Sequence, residues 1–154
     1  MSKVAAILGV GPGLGFSLAK KFSSQGYTVV VMARNTDKLT SIVSDIEHRG
    51  GKAVAIGVDS TSESAMERAF ETMRSTVGPP SLFVYNVGSV FGVKSILELS
   101  LSEFKQNFDL NCTGCFLAAK NVLPDMLKNK ANGGANSDTK NTFIVTGATA
   151  SVRG

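Results

Sequence analysis

Four glycines and a proline fall within the seven residues Gly9-Val10-Gly11-Pro12-Gly13-Leu14-Gly15. They follow directly on the apolar run Val4-Ala5-Ala6-Ile7-Leu8, and Leu14, Leu18 and Phe22 then recur at helical spacing up to Gly26. The order is strand, turn, helix, so the glycines lie where the backbone N–H groups and dipole of a starting helix face an incoming anion. Glycine lets the chain turn sharply and lets a phosphate approach the backbone with no Cβ in the way. Four glycines and a proline exceed what a plain turn needs. The chemistry this suits is the binding of a pyrophosphate, with Gly9, Gly11, Gly13, Leu14 and Gly15 around it.

The end of the second strand sharpens the reading. Domains of this kind that bind NAD usually place an Asp or Glu about 20 residues on, to accept a hydrogen bond from the adenosine ribose. Here the strand Thr28 to Ala33 ends in Arg34-Asn35. An arginine cannot accept, but its planar cation suits the extra 2′-phosphate of NADP. We therefore expect NADP(H) in preference to NAD(H), with Lys38 close enough to assist. Asp59 follows the third strand and Asn86-Val87-Gly88 the fourth. At both places a polar side chain could meet the adenine edge, hold neighbouring strand ends or simply cap a turn.

The elements that must carry these residues alternate regularly. After the first two strands, Leu39, Ile42, Val43 and Ile46 mark a helix ending at Gly50-Gly51. Ala53 to Val58 reads as the third strand, with a capping box at Ser60 and Glu63 opening a helix through Met66, Phe70, Met73 and Val77. Leu82 to Tyr85 is the fourth strand. A second capping box, Ser100 and Glu103, opens a long helix through Phe104, Phe108, Cys112, Cys115, Phe116, Ala119 and Val122, with Pro124 bending its last turns. Lys130 to Asn141 is polar and aperiodic, an exposed mobile loop before the strand Thr142 to Thr146. Strands alternating with helices imply an α/β, Rossmann-type doubly wound parallel sheet. We expect the strand order 3-2-1-4-5 in a single domain over 1–154, with ligand bound outside the carboxyl ends of the first and fourth strands.

Composition narrows the classes. A chain of 154 residues can bury one core. Its net charge of +4 comes from 16 scattered basic residues, which favours an anionic small ligand over nucleic acid. No apolar run approaches the roughly 18 residues of a membrane span, and the start lacks a signal peptide, so the expected location is cytoplasmic. Cys112 and Cys115 form a C-x-x-C inside a helix, and His48 is the sole imidazole. That spacing and setting read as small core residues beside Phe108 and Phe116 rather than a metal or redox site.

The spacing Gly9-x-x-x-Gly13-x-Gly15, with Arg34, Asp59, Asn86-Val87-Gly88, Asn111 and the strand Ile144-Val145-Thr146-Gly147-Ala148, resembles the short-chain dehydrogenase/reductase family along the whole chain. The resemblance implies an NADP(H)-dependent oxidoreductase that interconverts a carbonyl and an alcohol on a small molecule by hydride transfer, and a homo-oligomer is compatible with it. It gives the glycines and Arg34 to NADP, Asp59 to adenine, and Asn111 to a water in a proton relay. Leu8 stands in place of the usual Thr, and Asn86-Val87-Gly88 in place of Asn-Ala-Gly. Aligning the fifth strand and the terminal glycine puts Ala148 in the slot of the family's catalytic serine, with Thr149 and Ser151 as the nearest hydroxyls. The family's Tyr-x-x-x-Lys should lie beyond Gly154, and neither Tyr27 nor Tyr85 has a lysine at the fourth place after it. The resemblance thus implies a C-terminally incomplete domain, inactive without that pair, whose fifth strand is left as an apolar edge. Two other classes remain: a non-catalytic NADP(H)-binding module or regulatory isoform, and a methyltransferase, whose ligand's ribose diol calls for an acid where Arg34 stands.

Overall fold

In a computed structural model of the chain, the structure describes residues 3–88, 94–132 and 140–148. The strand β1 (Val4–Leu8), helix α1 (Leu14–Ser24), β2 (Thr28–Ala33), α2 (Thr36–His48), β3 (Lys52–Gly57), α3 (Glu63–Thr76) and β4 (Leu82–Tyr85) follow in strict alternation. Then come α4 (Leu101–Phe108), α5 (Gly114–Asn132) and β5 (Thr142–Val145). The five strands form one parallel sheet in the order β3-β2-β1-β4-β5, as expected of a doubly wound Rossmann-type domain.

The apolar runs of β1, β2 and β4 are continuous because these strands are covered on both faces. Ala6, Leu8, Val30, Met32, Phe83 and Tyr85 point to one side, against Phe70 and Met73 of α3 and Leu117 and Val122 of α5. Ile7, Val29, Val31 and Val84 point to the other, against Ala19 of α1 and Leu39, Ile42 and Ile46 of α2. Such two-sided burial makes every residue of β1 nearly inaccessible and leaves only the strand ends to meet a ligand.

Three helix starts are set by side chains. Asn35 Oδ1 accepts from Asp37 N and opens α2. Ser100 and Glu103 form the expected reciprocal box at α4. The box expected at Ser60 and Glu63 is not formed: α3 is capped by Ser62, whose hydroxyl accepts from Ala65 N at 3.3 Å. Ser60 is instead turned into the core, 4% exposed, where its carbonyl would lie 3.0 Å from a Cβ on Gly114.

The Lys94 ammonium and the Ser100 cap draw the Glu103 carboxyl down to about 2 from its ordinary 4.5. A carboxylate whose value is lower in the folded state stabilises the fold above its ordinary value and loses that contribution as pH falls toward the folded one. The melting-temperature gap between the parent protein and Glu103→Gln should therefore be widest near neutrality, narrow below the ordinary value and close near pH 2. A gap independent of pH would rule out the Lys94–Glu103–Ser100 cluster as its source.

The long helix is interrupted. Between α4 and α5, Asp109–Thr113 winds as a π-helix, with one extra residue per turn. Its inward face matches the expected one only in part, at Cys115 and Val122. Leu110, Leu117, Ala118, Val122 and Met126 are buried, whereas Phe104, Phe108 and Phe116 are each more than half exposed. Cys112 is exposed, so its reading as a core residue is corrected, whereas Cys115 is half-buried and packs against the α3–α5 side of the core; Phe108 and Phe116, expected beside them, face outward. Gly114 decides the matter: a Cβ there would run into the Tyr85 hydroxyl, so the bare side of the helix approaches the sheet and the phenylalanines turn away. Helix α5 continues through Pro124 to Asn132, so residues 130–132 of the expected loop are helical, while 133–139 lie outside the described residues. At the sheet edge, β5 exposes Ile144 and Val145.

Candidate cofactor-binding site

The glycine turn crosses the carboxyl ends of β1, β2 and β4. Gly9 N and Val10 N both donate to Met32 O, at 2.8 and 3.1 Å, which pins the turn over β2. Gly9 has φ +94°, and a Cβ on it would sit 2.6 Å from the Asn86 carbonyl carbon and oxygen. A Cβ on Gly15 would meet Val10 Cα at 2.8 Å and Gly9 O at 2.9 Å. These two glycines therefore allow the backbone to pack. Gly11 and Gly13 differ, because nothing lies within 4 Å of where their Cβ atoms would be. They face open space.

That space is ready for an anion. No side chain caps α1 at Gly13, no acidic residue occupies its first turn, and Leu14 is 55% exposed. An uncapped helix start carries unsatisfied N–H donors and a partial positive charge. Elsewhere the chain closes its helix starts with Asn35, Ser62 and Ser100. The residues present fit a pyrophosphate.

Asn86 holds neighbouring strand ends, one of the roles its position offers. Its Nδ2 donates to Gly9 O at 2.9 Å, its Oδ1 accepts from Thr146 Oγ1 at 3.0 Å, and its own N donates to Leu8 O at 2.8 Å. The side chain ties the ends of β1, β4 and β5 together. Val87 packs partly buried against the α3–α5 side of the core, and Gly88 is exposed.

Arg34 is exposed at the end of β2 and lines a cavity of about 350 Å³ together with Asp59, Thr61 and Lys105. Asp59 is held in place: Thr61 donates to its Oδ1 through the backbone N at 3.0 Å and the hydroxyl at 2.8 Å. Those bonds keep its carboxyl below the usual carboxylate range, and the Arg34 charge lowers it further. Asp59 is thus a fixed anion with lone pairs facing the cavity. Lys38 is exposed, and its backbone N is directed to the Asn35 cap at 3.4 Å.

Asn111 sits in the π-helical stretch, exposed, with its Nδ2 donating to Asn107 O at 2.8 Å. Beside it, the Leu110 carbonyl accepts from the buried hydroxyl of Tyr85. Burial pushes the Tyr85 phenol up to about 12, so it serves as a hydrogen-bond donor in the core rather than as an acid near neutrality. Tyr85→Phe would leave that carbonyl without its partner, which costs about 1–3 kcal/mol in a buried setting. Urea unfolding should show this loss; an unchanged midpoint would mean that water replaces the phenol.

A family model described as short chain dehydrogenase matches residues 3–135. The chain belongs to the short-chain dehydrogenase/reductase family. Among curated relatives it is similar to the cyclohexanol dehydrogenase of Acinetobacter sp. (strain SE19), 34% identical over 134 residues that make up 87% of this chain and 53% of that protein. It is 30% identical to the NADPH-dependent pterin aldehyde reductase of Arabidopsis thaliana over 129 residues, 84% of this chain and 53% of the other. A crystal structure of a short-chain type dehydrogenase/reductase from Mycobacterium marinum superposes with a TM-score of 0.83 at 32% identity, covering 95% of this chain and 56% of that one. The chain spans about half the length of the curated relatives it matches.

Within this short-chain dehydrogenase/reductase the expected residues fall into two groups. Gly9 to Gly15 and Asn86 meet at the glycine turn, while Arg34 and Asp59 share the neighbouring cavity. Ala148 lies exposed just past β5, and Thr149 and Ser151 fall outside the described residues. Sequence reasoning missed Thr146, Thr61 and Lys105. Thr61 had a local signal, a hydroxyl two residues after Asp59, and Thr146 lay within the quoted fifth-strand motif, whereas Lys105 lines the cavity through a tertiary contact that no nearby residue marks. Among the described residues no group of three or more His, Cys, Asp and Glu could hold a metal ion. Among those residues, too, no helix is long and apolar enough to cross a membrane.

Proposed function

We propose that this chain is the NADP(H)-binding part of an oxidoreductase that interconverts a carbonyl and an alcohol on a small molecule. The observation that carries the reading is the pairing of an uncapped, glycine-lined helix start with a cation, Arg34, at the strand end where an NAD site would have an acid. The N–H groups of Gly11, Gly13, Leu14 and Gly15 bind the pyrophosphate, Arg34 the 2′-phosphate, and the fixed carboxylate of Asp59 accepts from the adenine amino group. When bound, the cofactor supplies the hydride; the chain's part is to orient it and keep its phosphates paired. Asn111, in the π-helical stretch, holds a water at the substrate side. A relative bearing the name NADPH-dependent pterin aldehyde reductase supports both the cofactor and the carbonyl chemistry. We place the protein in the cytoplasm, where free thiols such as Cys112 and Cys115 persist.

Calorimetric titration with NADPH and NADH tests the reading. Tighter binding of NADPH supports it, whereas equal or tighter binding of NADH, or no binding of either, overturns it. A second reading is an NADP(H)-binding module without turnover, in line with Ala148 standing where the family's catalytic serine is expected. NADPH binding with no oxidation of NADPH across a panel of aldehydes and ketones supports that second reading.

A further inference from the structure

We infer that Lys105 is a second specificity-determining residue for the cofactor's 2′-phosphate, lining the same cavity as Arg34. The inference rests on the NADP(H) reading above. Arg34 comes from the end of β2 and Lys105 from α4, yet both line the same cavity of about 350 Å³ at the mouth of the adenosine end.

The carboxylates that share the cavity do not neutralise these cations by contact. Asp59 accepts from Thr61, and Asp109 accepts from Thr113 Oγ1 at 3.1 Å. Among the described residues Arg34 and Lys105 enter no ion pair, although four other ion pairs are formed there. Two exposed cations that line one cavity, neither held in an ion pair there, suit a phosphate monoester that carries close to two negative charges. Arginine offers it a planar fork and lysine a compact charge on a flexible stem, so the two can reach different oxygens of one group. Lys38, the basic residue nearest Arg34 in sequence, does not line the cavity. Discrimination against NADH then comes from two elements that pack independently, rather than from the end of β2 alone.

The test is calorimetric titration of the full chain and of Lys105→Ala, Lys105→Arg and Arg34→Ala with NADPH and NADH, at low and moderate salt. Lys105→Ala should weaken NADPH by about tenfold, the size of one charge-assisted contact, while leaving NADH unchanged. Lys105→Arg should recover most of that loss, and Lys105→Ala should flatten the salt dependence of NADPH binding. If the parent prefers NADPH and Arg34→Ala removes the preference while Lys105→Ala keeps it, the role of Lys105 is overturned and the NADP(H) reading stands. A parent that binds both cofactors equally sinks that reading and this inference together. Equal weakening of both cofactors by Lys105→Ala would place Lys105 outside the 2′-phosphate site and overturn the inference as well.

Discussion

Gly9→Ala should abolish NADPH binding and bring the protein close to unfolding. The residue stands at φ +94°, where a non-glycine residue costs about 1–3 kcal/mol, and the new methyl would press on the Asn86 carbonyl at 2.6 Å. The Asn86 backbone cannot yield without dragging the ends of β4 and β5, because its side chain holds Gly9 O and Thr146 Oγ1. Overpacking of this sort adds about 1–3 kcal/mol more, against a typical total stability of about 5–15 kcal/mol. Far-UV circular dichroism during urea unfolding gives the magnitude. Gly13→Ala is the control: its methyl enters open space, so the midpoint should hold while NADPH binding weakens. If both variants unfold like the parent, the close approach of the glycine turn to β4 is wrong.

Arg34→Glu should exchange the cofactor preference. Reversing a charge that makes charge-assisted bonds to a phosphate removes about 1.5–3 kcal/mol and adds repulsion, so NADPH affinity should fall by about 100-fold. The new carboxylate would accept from the ribose hydroxyls, so NADH affinity should hold or rise. Because Arg34 is exposed, the effect should shrink as salt is added. NADPH affinity equal to the parent's would show that Arg34 is a solvated surface charge and would remove the main ground for NADP(H).

The parts legible in the sequence were those written in local pattern. The apolar run before Gly9 and the glycine spacing marked β1, the turn and α1. The capping residues Ser100 and Glu103 marked α4, and the alternation of strands and helices implied the sheet order. Where two local patterns competed, the outcome depended on contacts between distant residues. Ser60 and Ser62 are both plausible caps for α3, and the close packing of Gly114 on Tyr85 and Ser60 draws the first inward. The long helix carries two apolar stripes, one through Phe104, Phe108 and Phe116 and one through Leu110, Leu117 and Val122. Size favours the first, but the bare side of Gly114 selects the second. Asn86 could be read from the sequence as holding strand ends, but its partners Gly9 O and Thr146 Oγ1 lie far away in the chain and appear only in the fold. Lys105 bears no local mark at all.

The Asn86 amide has a thermodynamic consequence. One side chain joins the glycine turn to the last strand of the sheet, so order at the phosphate end and order at the β5 edge are two readings of a single equilibrium. A ligand gripped by the turn lends its binding free energy to the order of β5 through Asn86, in proportion to the logarithm of its concentration over its dissociation constant. Fraying of β5 in turn loosens Thr146, then Asn86, then the carbonyl of Gly9. Cofactor affinity thus acts as a gauge of how firmly the far edge of the sheet is held.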